Sequence, residues 1–254
     1  MSEREIMDRL QYWYGEDYEL IPNKLYIKHP KLLDILKIGQ DKYTAYVSVL
    51  TLSPLHVADI LYDDFKIWYK DITSWTLFIN NLIAEMQNKD TNQIMSEALE
   101  FFTGLKFNPM MDANDNLMLT NSDKNVVINE ITFNAMCQFI KDINFMEDAE
   151  IYYQLQNAGS KGTAKYIMRQ IASKRKIKNK NDVDLQSICS SLLWKTGVGE
   201  ELFNYPIYRI YEGYARLNAL DNWDKTVTAY YAGTIDTEKT KINFEKINWS
   251  KILK

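Results

Sequence analysis

The apolar residues of this chain recur mainly every three or four positions, which is the spacing of amphipathic helices. Near the N-terminus, Ile6, Leu10 and Trp13 share one such stripe. Similar stripes follow along most of the chain, and glycine, proline or polar capping residues mark their ends. The pattern predicts helices at 2–14, 30–50 with an interruption at Gly39, 53–61, 75–86, 92–102, 132–144, 183–195, 206–219 and 222–232.

Two segments depart from the helical spacing. Between residues 18 and 30, apolar and polar residues alternate around a Pro22-Asn23 turn, which predicts a small β-hairpin. Residues 105–130 consist of short apolar runs separated by Asn-rich and Asp-rich turns, which predicts two or three short strands. We therefore expect a mainly α fold, with a small β-hairpin near the N-terminus and a short β insertion near residues 105–130.

The length of 254 residues permits one large domain or two smaller ones. The sequence shows no internal repeat and no low-complexity tract, so a solenoid is poorly supported. We expect residues 1–254 to form a single mainly helical domain. Within it, 105–130 would be a small β insertion and 157–182 a basic helix and loop.

The composition supports a folded helical protein. Hydrophobic residues make up 46% of the chain and aromatic residues 13%, while nine glycines and five prolines are few for a turn-rich β architecture. No apolar run is long enough to span a bilayer, and the N-terminus does not resemble a signal peptide. Cys137 and Cys189 stand in apolar surroundings, as buried thiols of a reducing compartment do. We expect no membrane partner and a location in the cytoplasm.

Residues suited to catalysis or metal binding are sparse. His29 and His56 are the only histidines, and neither has a cysteine or carboxylate at ligand spacing, which argues against a zinc site or a serine triad. Asp112 begins a partial match to a calcium loop that lacks the required glycine and the bidentate glutamate, so an Asn/Asp turn is the better interpretation. We predict no catalytic residues, no metal, no cofactor and no enzymatic activity.

Positive charge is concentrated between residues 161 and 180, with no acid in between. The cations are Lys161, Lys165, Arg169, Lys174, Arg175, Lys176, Lys178 and Lys180. The first three recur every four residues and would share a helix face, while 174–180 resembles a flexible tip. A solvated surface is the leading interpretation. The alternatives are a docking site for an acidic protein and a binding site for nucleic acid. The net charge of −4 and the lack of interleaved aromatics weaken the nucleic-acid alternative.

Aromatic residues are dense in the C-terminal part of the chain. The candidates for partner contact are Tyr208, Tyr211, Tyr214, Trp223 and Tyr230. Their helical spacing favours packing in the core. A tyrosine-rich surface that receives a partner is the alternative, because tyrosine combines an apolar ring with a polar tip.

The order of these C-terminal segments resembles a known family. Residues 184–194, 202–217 and 230–234, together with 23–30 and 34–39 in the front half, are similar to helical proteins from the tail modules of tailed bacteriophages of Gram-positive hosts. Those proteins are described as tail assembly chaperone-like.

The resemblance implies a non-enzymatic protein that binds phage tail proteins, such as the tape-measure or tail-tube protein, in the host cytoplasm. An exposed apolar or aromatic groove is what such a role requires physically. Two alternatives stay open at this point. One is a nucleic-acid-associated phage protein that uses residues 161–180, and the other is a structural component retained in the virion.

Overall fold

The computed structural model of the chain describes residues 3–88, 92–113, 115–176, 183–235 and 242–251, with the side chains of 3–8 and 176 excluded. The helices are α1 (Glu3–Tyr14), α2 (Leu32–Ile38), α3 (Gln40–Thr51), α4 (Ala58–Asp63), α5 (Ser74–Gln87), α6 (Ile94–Thr103), α7 (Glu130–Ile143), α8 (Glu150–Gln156), α9 (Lys161–Lys176), α10 (Leu185–Thr196), α11 (Ile207–Tyr231) and α12 (Phe244–Ile247). A 3-10 helix, Glu200–Asn204, precedes α11. The fold is mainly α, as predicted.

Both predicted β segments are present. Strands β1 (Tyr18–Ile21) and β2 (Leu25–Ile27) form an antiparallel hairpin. Strands β3 (Asn108–Met111), β4 (Leu117–Asn121) and β5 (Val126–Ile128) form an antiparallel sheet in that order. At the first turn Asn23 adopts a positive φ of 58°, a conformation that asparagine tolerates well.

The contacts within the chain divide it into two compact units. Unit 1 comprises Met1–Gly15, Lys31–Leu33 and Val183–Lys254, and unit 2 comprises Glu16–Pro30 and Asp34–Asp182. Each unit is assembled from separate segments, so the division does not coincide with two successive domains. The single domain predicted for residues 1–254 therefore stays a prediction, as do the roles of 105–130 as an insertion and of 157–182 as a basic helix and loop.

Unit 2 has a core in which α3, α5, α6 and α7 contact one another. Phe133 of α7 is 1% exposed, and its ring centroid lies 4.7 Å from that of Phe78 on α5. A second apolar cluster joins α4, α8 and α9 through Leu155, Ala164 and Met168. This cluster fixes the basic helix α9 against α4, because the apolar side of α9 is buried there.

Unit 1 is built around α11, a single helix of 25 residues. The sequence pattern predicts two helices, at 206–219 and 222–232. The break between them is absent, so that prediction is wrong. No proline or glycine interrupts the chain between those ranges, so nothing in the local sequence ends the first helix. Asp221, at the expected break, instead accepts from Lys195 Nζ of α10 at 2.9 Å.

Two further differences concern helix ends. Helix α8 was not predicted, because its seven residues carry a single fully buried side chain, Leu155, and give no apolar stripe. In the basic stretch, α9 extends to Lys176, so the first part of the expected flexible tip is helical. Residues 177–182 of that tip lie outside the described residues. The predicted interruption at Gly39 is confirmed, with φ 88° between α2 and α3.

Candidate functional site

The predicted partner-binding aromatics lie mostly inside unit 1. Tyr208 is 7% exposed and its ring lies 5.5 Å from that of Tyr12 on α1. Tyr211 and Tyr214 are half-buried. Burial, with a smaller contribution from the Cys189 thiol, raises the pKa of Tyr211. These rings pack α11 onto its neighbours, and partner binding by them stays a prediction.

The remaining two candidates hold the C-terminal segment. The ring centroids of Trp223 and Tyr230 lie 6.0 and 5.2 Å from that of Phe244 on α12. Arg216 donates to the backbone carbonyls of Trp249 and Lys251 at 3.0 and 3.1 Å. Residues 242–251 therefore pack along α11 as a clasp. Of the five candidates only Tyr230 is more than a third exposed, at 38%.

The most exposed tryptophan of the described chain is one that the sequence did not single out. Trp194, in the last turn of α10, is 85% exposed, and Leu193 beside it is 45% exposed. Leu192 of the same turn is buried against α11, within reach of Gly213. Three successive apolar residues on one helix cannot all face its core, and that run was a signal in the sequence for an exposed apolar surface.

An open groove of about 660 Å³ adjoins the end of this helix. It is lined by Leu33, Gly197, Gly199, Glu200, Glu201, Phe203 and Asn204. Its apolar part comes from Leu33 and Phe203, which are both 43% exposed. We call this groove, together with the exposed Leu193 and Trp194 of the helix that ends at it, the Trp194 surface.

The groove has an acidic side. Glu200 and Glu201 lie in the 3-10 helix, and the carboxylate of Glu201 accepts from the backbone N–H of Gly199 at 3.1 Å. Helix α10 ends at Gly197 in a left-handed conformation, so its negative dipole end points toward the same region. An apolar floor beside negative charge suits a segment that carries both apolar and basic side chains.

Backbone contacts hold the walls of the groove in place. The N–H of Leu32 donates to the carbonyl of Tyr205 at 3.0 Å, and Lys31 forms a β-bridge with Pro206. The Arg209 guanidinium lies 3.8 Å from the centre of the Tyr205 ring. These contacts place Leu33 opposite the 3-10 helix, although the two segments are far apart in the sequence.

The basic candidates of α9 fall into different environments. Lys161 Nζ lies 5.8 Å from the centre of the Trp68 ring, and Lys165 Nζ lies 4.6 Å from that of Tyr62. Arg169 and Lys174 are exposed, and the Lys176 side chain lies outside the description.

Arg175 is exposed, but its charge is paired within unit 2. Its guanidinium pairs with both carboxylate oxygens of Asp59 at 2.9 Å and also donates to the carbonyl of His56. This bidentate pair fixes the end of α9 to α4. Arg175 is thus exposed but paired, through a carboxylate of α4 that the sequence pattern did not reveal, and its place among the basic-surface candidates stays a prediction.

A polar chain in unit 2 has the residue types of a serine hydrolase. His56 Nε2 lies 3.1 Å from Asp148 Oδ1, and His56 Nδ1 lies 3.3 Å from Ser53 Oγ. However, Nδ1 also accepts from the Ser53 backbone N–H at 3.1 Å, which occupies the lone pair that a general base would use. The contacts support a structural role, in which His56 closes the loop before α4.

The other titratable groups also fit structural roles. Burial raises the pKa of Cys137 to about 12, which disfavours the reactive thiolate. In the β3–β4 turn the carboxylate of Asp112 accepts from the backbone and side chain of Asn116, as the Asn/Asp-turn interpretation predicts. Within the described ranges, no three histidine, cysteine or acidic side chains lie together as metal ligands, and no helix is long and apolar enough to cross a bilayer.

Comparison with known proteins finds a similarity for the C-terminal part of the chain. Residues 176–254 match the model of the YomV second domain, and YomV comes from a Bacillus phage or prophage region. Neither the curated proteins nor the solved structures yield a match. The matched range begins close to Val183, where unit 1 resumes, and contains Trp194 and Phe203. About a third of this chain is thus similar to a phage-derived domain, and the tail-assembly part of the predicted resemblance stays a prediction.

Proposed function

We propose that this protein is a non-enzymatic phage tail assembly factor that binds a tail protein through the Trp194 surface. The observation that carries the proposal is the 85% exposure of Trp194. A tryptophan side chain in water forgoes about 2 kcal/mol or more of hydrophobic stabilisation that burial would provide. Aromatic anchors of this kind, placed beside a groove, often dominate the binding energy of interfaces.

The chemistry of the groove limits the kind of partner segment that would fit it. Leu33 and Phe203 offer an apolar floor, and Glu200 and Glu201 offer negative charge beside it. The partner would insert an apolar side chain next to Trp194 and place a lysine or arginine near the two glutamates. A tape-measure or tail-tube protein that exposes such segments before assembly is the partner class that we propose.

The phage part of the proposal draws on the family match, since the matched residues 176–254 include most of the Trp194 surface. The tail part draws on the resemblance of the C-terminal segments to tail assembly chaperone-like proteins. The proposed site of action is the host cytoplasm, where tail proteins are made. The competing role, a structural component of the virion, predicts that the protein remains in purified particles.

Affinity purification from phage-producing cells tests the proposal. Tagged wild-type protein, Trp194→Ala and the control Tyr153→Ala would be purified with nuclease treatment, and bound proteins identified by mass spectrometry. Tyr153 is a matched control, since it is 68% exposed but lies in unit 2. We expect a tail protein with wild type and Tyr153→Ala, and its loss with Trp194→Ala. Equal recovery with Trp194→Ala, or recovery of no tail protein, would contradict the proposal.

A further inference from the structure

The exposed side of α9 combines positive charge with aromatic rings from another part of unit 2. The helix contains six cations and no acid between Lys161 and Lys176. Its buried side is formed by Ala164, Ile167, Met168 and Ile171. Arg169 projects from the opposite side, and Lys161 and Lys165 lie along the edge between the two sides.

Two rings lie under this row of cations. Lys161 approaches the Trp68 ring and Lys165 approaches the Tyr62 ring, and the two rings contact each other edge to face with centroids 5.9 Å apart. Tyr62 belongs to α4 and Trp68 to the loop that follows it, roughly a hundred residues before α9 in the sequence. The aromatic component that the basic stretch lacks in its local sequence is therefore supplied by the tertiary fold.

A third ring belongs to the exposed side of α9. Tyr166 is 63% exposed and lies three residues, about one helical turn, before the exposed Arg169. Within the part of the chain that the structure describes, no carboxylate forms an ion pair with Lys161, Lys165 or Arg169. We call this set of three cations and three rings the α9 face.

We propose that the α9 face binds single-stranded nucleic acid. Cations four residues apart on a helix are separated by about 6 Å along its axis, so the row can follow a flexible phosphate backbone. Exposed aromatic rings offer stacking positions to unpaired bases, which a duplex keeps stacked within itself. An acidic protein would also satisfy the charges, whereas a strand that carries phosphates and unpaired bases uses the cations and the rings together.

The present contacts suggest how the face would change on binding. The lysine ammonium groups now lie over the rings, and their flexible side chains allow them to turn toward phosphates. Once Lys161 and Lys165 have turned, the outer faces of the half-buried Trp68 and Tyr62 rings become available to bases.

Binding to a fluorescent oligothymidylate of about 20 nucleotides, followed by anisotropy at about 50 to 200 mM salt, tests the inference. If three phosphates are neutralised, the logarithm of the association constant should fall with that of the salt concentration with a slope of about −2. The triple variant Lys161→Ala, Lys165→Ala, Arg169→Ala should lose about ten-fold or more in affinity and most of this slope.

The control variant Lys106→Ala, Lys124→Ala, Lys174→Ala removes the same charge from exposed positions outside the α9 face and should bind nearly as wild type does. Tyr166→Ala should weaken binding about five-fold or more without changing the salt slope, because it removes stacking and no charge. Circular dichroism of each variant would verify that it folds.

Several results would overturn the inference. These are an absence of binding at low salt, equal loss of affinity in both triple variants, and an unchanged affinity in Tyr166→Ala. Competition experiments provide a further test, because polyglutamate or a duplex of the same length should displace the labelled oligonucleotide poorly. If polyglutamate displaces the oligonucleotide at equal charge concentration, the face is a docking site for acidic proteins instead. The Trp194 surface lies in unit 1, so neither outcome decides the proposed tail-protein binding.

Discussion

Acidification should destabilise this protein through a single buried histidine. His29, at the end of the β1–β2 hairpin, is 2% exposed, and neither ring nitrogen makes a hydrogen bond. Its ring lies edge to face against Phe139, with centroids 5.9 Å apart. Burial lowers the pKa of His29 from 6.5 to about 4, and the nearby Glu16 carbonyl offsets this only in part, without the geometry of a hydrogen bond.

The size and sign of the effect follow from linkage. Because the pKa is lower in the folded state, the unfolded chain binds the proton first as the pH falls below 6.5. The folded state thus has its full stability above pH 6.5 and loses it progressively between pH 6.5 and pH 4. A pKa difference of about 2.5 corresponds to a loss of about 3 kcal/mol in the free energy of unfolding.

Urea unfolding from pH 7.5 to pH 4, followed by tryptophan fluorescence, measures this loss. His29→Leu removes the titrating ring and fills an apolar site, so the variant should lack about 3 kcal/mol of the acid-induced decline seen in wild type. Burial also lowers the pKa of His56. His56 and the carboxylates titrate in both proteins, so their contributions to the pH dependence cancel in the comparison.

An NMR titration of the histidine ring protons provides a check that does not depend on the variant. His29 and His56 are the only histidines, so their resonances can be assigned readily. The reasoning predicts a midpoint near pH 4 for His29. A midpoint near 6.5, or the same pH dependence of stability in His29→Leu and wild type, would refute it.

Three other predictions concern stability and cooperativity. Arg175→Ala should lower the free energy of unfolding by about 1 to 2 kcal/mol, since it breaks the bidentate pair with Asp59, whereas Lys174→Ala should change it by less than about 0.5 kcal/mol; equal effects in urea unfolding would contradict this. Gly15→Ala should lower the melting temperature, because φ at Gly15 is 79° and an added Cβ would lie 2.6 Å from a proline carbon; an unchanged melting temperature would count against the described geometry. Calorimetry of residues 1–254 should show one unfolding transition, because the chain passes repeatedly between the two units and neither is formed by one continuous segment; two separate transitions would count against the single-domain prediction.

The helical fold was largely predictable because each long helix buries a continuous apolar stripe, and periodicity reports such stripes directly. The start of α5 agrees with the predicted range 75–86, since Thr73 caps the helix by accepting from the Thr76 N–H. Helices α8 and α11 could not be predicted correctly, because neither shows a clear apolar stripe. Helix α8 is too short to show a period, and α11 mixes apolar and polar residues around its surface, so no single apolar stripe marks its extent.

The candidate sites were less predictable because exposure and pairing are properties of the tertiary structure. The spacing of residues in the sequence indicates on which face of its helix Trp194 lies. It does not indicate whether another segment of the chain covers that face. The Arg175–Asp59 pair joins residues 116 positions apart, and no local pattern connects them. The rings of Trp68 and Tyr62 are likewise distant in sequence from the lysines that they contact.

Site-specific photo-crosslinking at residue 194 tests the central claim most directly. A benzoyl-phenylalanine would replace Trp194 in full-length protein expressed in phage-producing cells, and the same residue at position 153 would serve as the control. Irradiation should join position 194, but not position 153, to a tail protein that mass spectrometry identifies. Crosslinks from position 194 to proteins unrelated to the tail, or to none at all, would contradict the claim that the Trp194 surface binds a tail protein.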